Sequence, residues 1–461
     1  MGWIYLFVSV AGAAFTVNAI RPVRRWRLLL PGFLAGWLTS ELPTHLLLWQ
    51  LVATLAFAAF GALATWPGWV GLGVSFASWV GLFSLHTKAA RAARVLDASL
   101  REGLGEGYEL RVLPGLEPGP VSRPLRLRLM PMWMRDARVE RLANLRYAEG
   151  AGRRHLLDLY RARGAGGGGG GGSEPRRAEL PPHGGAEPSR AGLRPVLLQI
   201  HGGAWILGDK AQQGLPLMLH LAASGWICVA INYRLSPRST FPDHLVDCKL
   251  ALRWIREHIA EYGGDPDFVA VTGGSAGGHL SSLMALTAND ARYQPGFEGT
   301  DTSVQACVPF YGVYDFTNRA GFRGPTDPLY TLVSRRVLKA SISDDPAAYE
   351  RASPMSHVRA DAPPFFVIHG TNDTLAPVEE AREFARMLRS VSRQPALYAE
   401  IPGAHHAFEI FHGARAHLAV TAVHRFLAAV LCASRGTRSL PAEAALKELG
   451  APTATPEPLA T

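Results

Sequence analysis

One serine in this chain sits among glycines in a pattern with chemical meaning. Gly273-Gly274-Ser275-Ala276-Gly277-Gly278 follows the short apolar run Phe268–Thr272 and precedes an apolar helical stretch. A strand, a sharp turn and a helix around G-x-S-x-G hold a hydroxyl in the open at the end of a sheet. Small neighbours are needed because bulky ones would clash in so strained a turn. The helix that follows aims its N-terminus at the hydroxyl and favours negative charge developing there. The chemistry this serves is attack by Ser275 on a carbonyl carbon. On the motif alone, an idle serine in a glycine-rich turn would read the same way.

A second loop narrows the choice. About 70 residues upstream, the run Pro195–Ile200 ends in His201-Gly202-Gly203-Ala204-Trp205. Attack on a carbonyl produces a tetrahedral oxyanion, and backbone N–H groups must reach it. Glycines let the main chain come close. Gly202, Gly203 and Ala276, the residue after the serine, are the candidate donors. A serine also needs a base and an orienting acid. Asp373 follows the strand-like run PPFFVIHG and precedes Pro377; His405 and His406 follow LYAEI. An Asx turn would explain Asp373 taken alone. One histidine of the pair has no part in proton transfer, and His406 is the preferred base.

These residues need a scaffold, and residues 195–431 supply one. Apolar runs at 195–200, 226–233, 268–272, 304–310, 364–369 and 397–401 read as strands, and 153–161 as another. Leu245, Cys248, Leu252, Ile255 and Ile259 recur every three or four residues, the spacing of an amphipathic helix. A final helix is expected at about 415–431. Such alternation implies an α/β fold, a mostly parallel sheet flanked by helices.

Residues 153–431 resemble the hormone-sensitive-lipase-like carboxylesterases of the α/β-hydrolase superfamily. LDLYR (157–161), PVLLQIHGGAWILGDK (195–210), INYRLSP (231–237), FVAVTGGSAGG (268–278), GVYD (312–315), HGTNDTLAP (369–377) and GAHHAF (403–408) carry the resemblance, in order and spacing. It implies the α/β-hydrolase fold, Ser275 as nucleophile, Asp373 as acid and His406 as base. It also implies oxyanion donors from Gly202, Gly203 and Ala276. The chain departs from the family with HGGA in place of HGGG and with Arg238 in place of an acidic residue after YRLSP. A further departure is its long apolar front, so the family's N-terminal lid is expected to be altered or replaced by residues 95–150.

That front is the other legible region. Residues 2–20 carry no charge, and a 19-residue helix is roughly 28 Å long, close to a bilayer core. Residues 45–86 contain no Lys, Arg, Asp or Glu and are long enough for two passes around Trp66-Pro67-Gly68. The expected spans are 2–20, 45–65 and 68–86, with 28–40 interfacial or re-entrant. No basic residues precede the first apolar run, as a cleaved signal peptide would require. Arg21, Arg24, Arg25 and Arg27 follow the first span, and Lys88, Arg91 and Arg94 follow the third. Basic residues stay cytoplasmic, so the catalytic part is expected to face the cytoplasm. The net charge of +9 has this origin. From Lys88 to Arg163 there are 16 Lys and Arg against 9 Asp and Glu, without the aromatic-interleaved pattern of a nucleic-acid module.

The expected organisation is a transmembrane helical region over 1–94, a basic connector or lid over 95–152, and an α/β-hydrolase domain over 153–433. That domain carries a flexible glycine-rich insert at 164–192, and a disordered tail follows at 434–461. Cys228, Cys248, Cys307 and Cys432 lie far apart in apolar stretches and show no metal-binding spacing. The expected activity is carboxylic-ester hydrolysis through an acyl-enzyme, with no metal or organic cofactor and a small-molecule or lipid ester as substrate. An amidase or peptidase with the same three residues is the nearest alternative, and a non-catalytic ligand-binding relative the next. Acyl length, alcohol and oligomeric state are not written in the sequence.

Overall fold

The computed structural model describes residues 1–23, 29–113, 115–117, 125–164, 192–324 and 327–436. Arg24, Arg25 and Arg27, nearly all of the glycine-rich insert and the tail beyond Gly436 lie outside the described residues.

The chain opens with four helices: α1 (Gly2–Ile20), α2 (Leu29–Glu41), α3 (Pro43–Ala59) and α4 (Trp66–Leu104). The three expected spans correspond to α1, to α3 and to the first half of α4. The segment expected at 28–40 forms α2, which meets α3 at a bend of 93°. The pattern of this region is inverted relative to a soluble protein. Tyr5, Ser9, Thr16, Thr54, Ser75 and Ser78 are buried, while Phe7, Trp49, Leu55, Phe76 and Phe83 are exposed. The buried side chains satisfy one another: Ser75 Oγ donates to Ser9 Oγ at 2.9 Å, Tyr5 Oη to Thr54 Oγ1 at 3.0 Å, and the Thr16 and Ser78 hydroxyls lie 2.8 Å apart. Interhelical hydrogen bonds inside, beside a small cluster of Ala19, Leu82 and Leu85, with many bulky apolar residues outside, suit helices packed in an apolar solvent.

The expected boundary at residue 94 is not found. α4 runs unbroken for 39 residues to Leu104. Lys88, Arg91 and Arg94 end the apolar run but not the helix, because alanine, leucine and arginine all propagate it well. Ala92, Leu96, Ser99, Leu100 and Leu104 form its buried stripe. Ser99 Oγ donates to Tyr398 O at 2.7 Å, fixing the stripe to the catalytic domain.

After α5 (Leu125–Leu129), the catalytic domain begins with β1 (Val139–Arg146) and β2 (Leu156–Ala162). β1 falls within the stretch read above as connector or lid. A bulge between Leu142 and Leu145, with Asn144 at φ 63°, breaks its alternation and hides it from periodicity. Then follow β3 (Arg194–Ile200), α6 (Leu215–Ala223), β4 (Ile227–Ile231), α7 (Asp243–His258), β5 (Gly264–Gly274) and α8 (Ala276–Leu286). The remainder is β6 (Ala306–Phe310), α9 (Pro328–Leu332), α10 (Pro346–Arg351), β7 (Phe365–Gly370), α11 (Val378–Val391), β8 (Ala396–Ile401) and α12 (Ala414–Ser434).

Among the described residues, eight strands form one sheet in the order β1-β2-β4-β3-β5-β6-β7-β8. β2 runs antiparallel to both its neighbours, and β3 to β8 are parallel to one another. Consecutive residues of the buried strands face opposite sides. Leu198, Val229 and Val271 pack under α7, α8 and α11, and Leu197, Cys228 and Ala270 pack under α6, α12 and the end of α4. α12 is also long and apolar enough to cross a membrane, but its apolar stretch is 78% buried against the sheet. It is a core helix.

Candidate active site

In a parallel sheet the loops leaving the carboxyl ends of the strands gather on one side. Register places Ile200 of β3 beside Gly273 of β5, Phe310 of β6 beside Gly274, and Gly370 of β7 beside Ile401 of β8. The loops carrying Gly202, Ser275, Asp373 and His406 therefore emerge together.

Ser275 sits between β5 and α8 with φ 58° and ψ −121°. A non-glycine residue in this region costs on the order of 1–3 kcal/mol and persists only where its surroundings impose it. Here Ser275 N–H donates to Phe310 O at 3.0 Å, and His279 N–H donates back to Ser275 O at 3.0 Å. Space explains the small neighbours. A Cβ on Gly277 would lie 2.1 Å from Ile200 O, and one on Gly202 would lie 2.5 Å from Gly274 O. The two loops touch backbone to backbone, so neither position has room for a side chain.

Ala276 is the first residue of α8, and the amides of a helix's first turn have no intrahelical acceptor. On the facing loop, Gly202 N–H donates to Gln213 Oε1 at 2.7 Å, so that amide is engaged in this arrangement. Ala204, where the resembled family has glycine, and Trp205 both adopt positive φ, 51° and 61°. The His201 ring lies 4.4 Å from that of Tyr233, whose hydroxyl donates to His201 O at 3.0 Å. Burial lowers the His201 pKa to about 4, so this ring is a neutral prop for the loop.

Asp373 is fully buried. Its Oδ1 accepts from the amides of Leu375 and Ala376 at 2.8 and 2.9 Å, the Asx turn that its sequence suggested. Its Oδ2 accepts from His406 Nδ1 at 2.7 Å. Burial raises the carboxyl's pKa, but the adjoining His406 imidazole and the hydrogen bonds from His369 and His406 outweigh it. Asp373 is held far below the ordinary carboxylate range. Acid and base are thus brought together as expected, while no hydrogen bond joins Ser275 Oγ to His406. His405 is turned away, its Nε2 lying 3.1 Å from Ala19 O.

Three residues of the site escaped the sequence reading. His369, in the run read only as strand, places Nε2 3.2 Å from Asp373 Oδ2. Tyr311, just beyond β6, adjoins the base and the glycine before the nucleophile. Its ring is 4.5 Å from that of His406, and its hydroxyl occupies the space beside Gly274. That hydroxyl donates to Glu409, a wholly buried carboxyl whose pKa burial pushes up to about 7. No local pattern announces such contacts, although His369 does lie in the HGTNDTLAP motif.

The cover over the base loop is also not the expected one. It comes chiefly from α2: Phe33 meets the His406 ring edge-on at 6.1 Å, Trp37 stacks on Phe33 at 5.5 Å and on Phe411 at 4.7 Å. Trp37 Nε1–H donates to Ala407 O at 2.9 Å. Of the stretch 95–150 expected to serve as lid, Pro131 accepts from His412 N–H at 3.0 Å, while Leu96, Leu100 and Leu104 pack against the face of the sheet covered by α12.

Comparison with known proteins agrees with this architecture. The family profile described as BD-FAE matches residues 186–388. The probable carboxylic ester hydrolase LipM of Mycobacterium tuberculosis is 44% identical over 442 residues, which span 92% of this chain and 93% of that protein. Esterase LipQ of the same organism is 36% identical over 436 residues, 93% of this chain and 92% of its own. The crystal structure of esterase B from Lactobacillus rhamnosis superposes with a TM-score of 0.50 at 20% identity, over 68% of this chain and 95% of that one, a likeness of fold. The chain belongs to the hormone-sensitive-lipase-like carboxylic ester hydrolases of the α/β-hydrolase fold.

Proposed function

We propose that this esterase works through a Ser275–His406–Asp373 triad and an acyl-enzyme, as a membrane-embedded enzyme whose catalytic domain faces the cytoplasm. The observation that carries the triad is the 2.7 Å bond from His406 Nδ1 to the ionised Asp373, at the same sheet edge as the strained Ser275. With Nδ1–H given to Asp373, Nε2 is the free base of the ring. It takes the Ser275 proton as the hydroxyl attacks the ester carbonyl. The amides of Ala276, Gly203 and Gly202 are the proposed oxyanion donors, the last of them engaged with Gln213 in this arrangement. Asp373 holds the tautomer and steadies the imidazolium. His406 then protonates the departing alcohol, and the same nitrogen activates water to release the acid.

The membrane reading rests on the inverted side-chain pattern of α1, α3 and α4 and on the basic residues that follow α1 and lie along α4. α1 and α4 both end at the catalytic domain, as Ala19 and Ser99 show by their contacts there. An apolar front that also shelters the base loop favours esters dissolved in or drawn from a lipid phase. The test is hydrolysis of p-nitrophenyl butyrate by the full chain in detergent beside Ser275→Ala. Turnover in the parent, and a drop of about 10⁶-fold in the variant, is the expected result. Activity that survives the substitution would refute the triad. A matched series of longer acyl esters tests the substrate class; preference confined to acetyl esters would contradict a lipidic one.

A further inference from the structure

His405 and Asn372 have no role in the proton transfers above, yet each adjoins a residue that does. Both reach the same atom. His405 Nε2 lies 3.1 Å from Ala19 O, and Asn372 Nδ2 donates to Ala19 O at 3.0 Å. Ala19 and Ile20 close helix α1, where carbonyls lack intrahelical partners. A carbonyl only accepts, so the His405 ring carries its proton on Nε2; its Nδ1 has no partner. The fit is close from the other side as well. A Cβ on Gly36 of α2 would stand 2.7 Å from His405 Cε1. Trp37 holds Ala407 O, and Ser40 Oγ donates to Gly403 O at 2.9 Å. The base loop is thereby gripped on both flanks of His406, and the acid loop is tied to the same helix end.

We infer that Asn372 and His405 are positioning residues: through Ala19 O they clamp the acid and base loops to the first apolar helix, which makes that helix part of the catalytic apparatus. This rests on the triad reading above. A tether could be cut away without changing the chemical step. A clamp cannot, because moving the imidazole by a fraction of its hydrogen-bond length misaligns it with Ser275.

The experiment uses the full chain in detergent, with kcat and KM for p-nitrophenyl butyrate and thermal unfolding measured in parallel. The variants are His405→Leu, His405→Gln, Asn372→Ala, Gly36→Ala and, as a check on the triad, Ser275→Ala. His405→Leu lowers kcat by about 10²-fold, the effect of a misplacement near 1 Å, with KM little changed. His405→Gln restores most of it, because the glutamine amide can donate from nearly the same place. Asn372→Ala lowers kcat in the same sense. Gly36→Ala lowers it too, although alanine is the better helix former, because it crowds His405. Parent-like kcat in His405→Leu and Asn372→Ala overturns the clamp. So does a glutamine variant as poor as the leucine one, or a kcat loss matched by an equal loss of stability. Should His405→Leu fail to fold, Asn372→Ala decides: a lowered kcat in a stable protein supports the clamp, a parent-like one refutes it. Persistent activity in Ser275→Ala would instead refute the triad, a separate result.

Discussion

The helical front and the catalytic domain differ in what they bury and what they expose. In α1, α3 and the first half of α4 the inside holds Tyr5, Ser9, Thr16, Thr54, Ser75 and Ser78 beside Leu82 and Leu85, and the outside is phenylalanine, tryptophan and leucine. In the catalytic domain Leu198, Val229, Val271 and Phe384 are wholly buried, and ion pairs such as Arg382–Glu400 lie at the surface. The two distributions are those that different solvents would select. Water drives the apolar side chains of the domain inward. Helices in lipid gain nothing by hiding leucine and associate through close packing and hydrogen bonds. The two regimes meet at the base loop. There α2 and the end of α1 bring both apolar rings and polar groups, including the buried pair Arg415–Glu41 at 3.2 Å.

The contrast can be broken or sharpened by substitution. The largest effect is expected at the junction. Asp373→Asn keeps the shape but leaves His406 in the wrong tautomer, and kcat falls by about 10⁴-fold in an ester assay with the fold intact by circular dichroism. Next comes a matched pair of phenylalanines. Phe384, stacked on Tyr314 at 4.3 Å, is fully buried, whereas Phe83 is 63% exposed. Phe384→Ala costs about 3–5 kcal/mol in denaturant unfolding. Phe83→Ala in detergent changes stability by no more than about 0.5 kcal/mol. Equal costs would mean that the front is packed like a soluble domain.

A pH effect follows from Glu409. Its carboxyl, facing Tyr311, His406 and Glu41, titrates at about 7 when folded against 4.5 as the ordinary value. A raised folded pKa stabilises the fold fully below 4.5, and that contribution is lost as pH rises through 7. Glu409→Gln therefore flattens the decline of the melting temperature between those values. The smallest effect is expected inside the front, where Thr16→Ala removes the hydrogen bond to Ser78 and costs about 0.6 kcal/mol.

Much of this is legible in the sequence, for physical reasons. Ser275, Asp373 and His406 each follow an apolar strand and lie in a short local pattern, so order along the chain predicts convergence. α1 and α3 declare themselves by length and lack of charge. β1 does not, because its bulge destroys alternation. The last ten residues of α4, 95–104, read as connector because the charges before them end the apolar run, while their buried stripe has meaning only against β8 and α12. Phe33 and Trp37 on α2 gave no sign of covering His406, some 370 residues away, and Tyr311 and Glu409 gain their roles only from contacts. Tertiary packing set these, and periodicity carries no trace of it.

The central claim, a serine esterase with Ser275 as its nucleophile, is tested most directly by covalent labelling. The full chain in detergent is treated with a fluorophosphonate and digested, and the modified peptide is identified by mass spectrometry. Labelling on Ser275 alone, in step with loss of ester turnover, is the predicted result. Label on another residue, or turnover that survives complete labelling of Ser275, would contradict it.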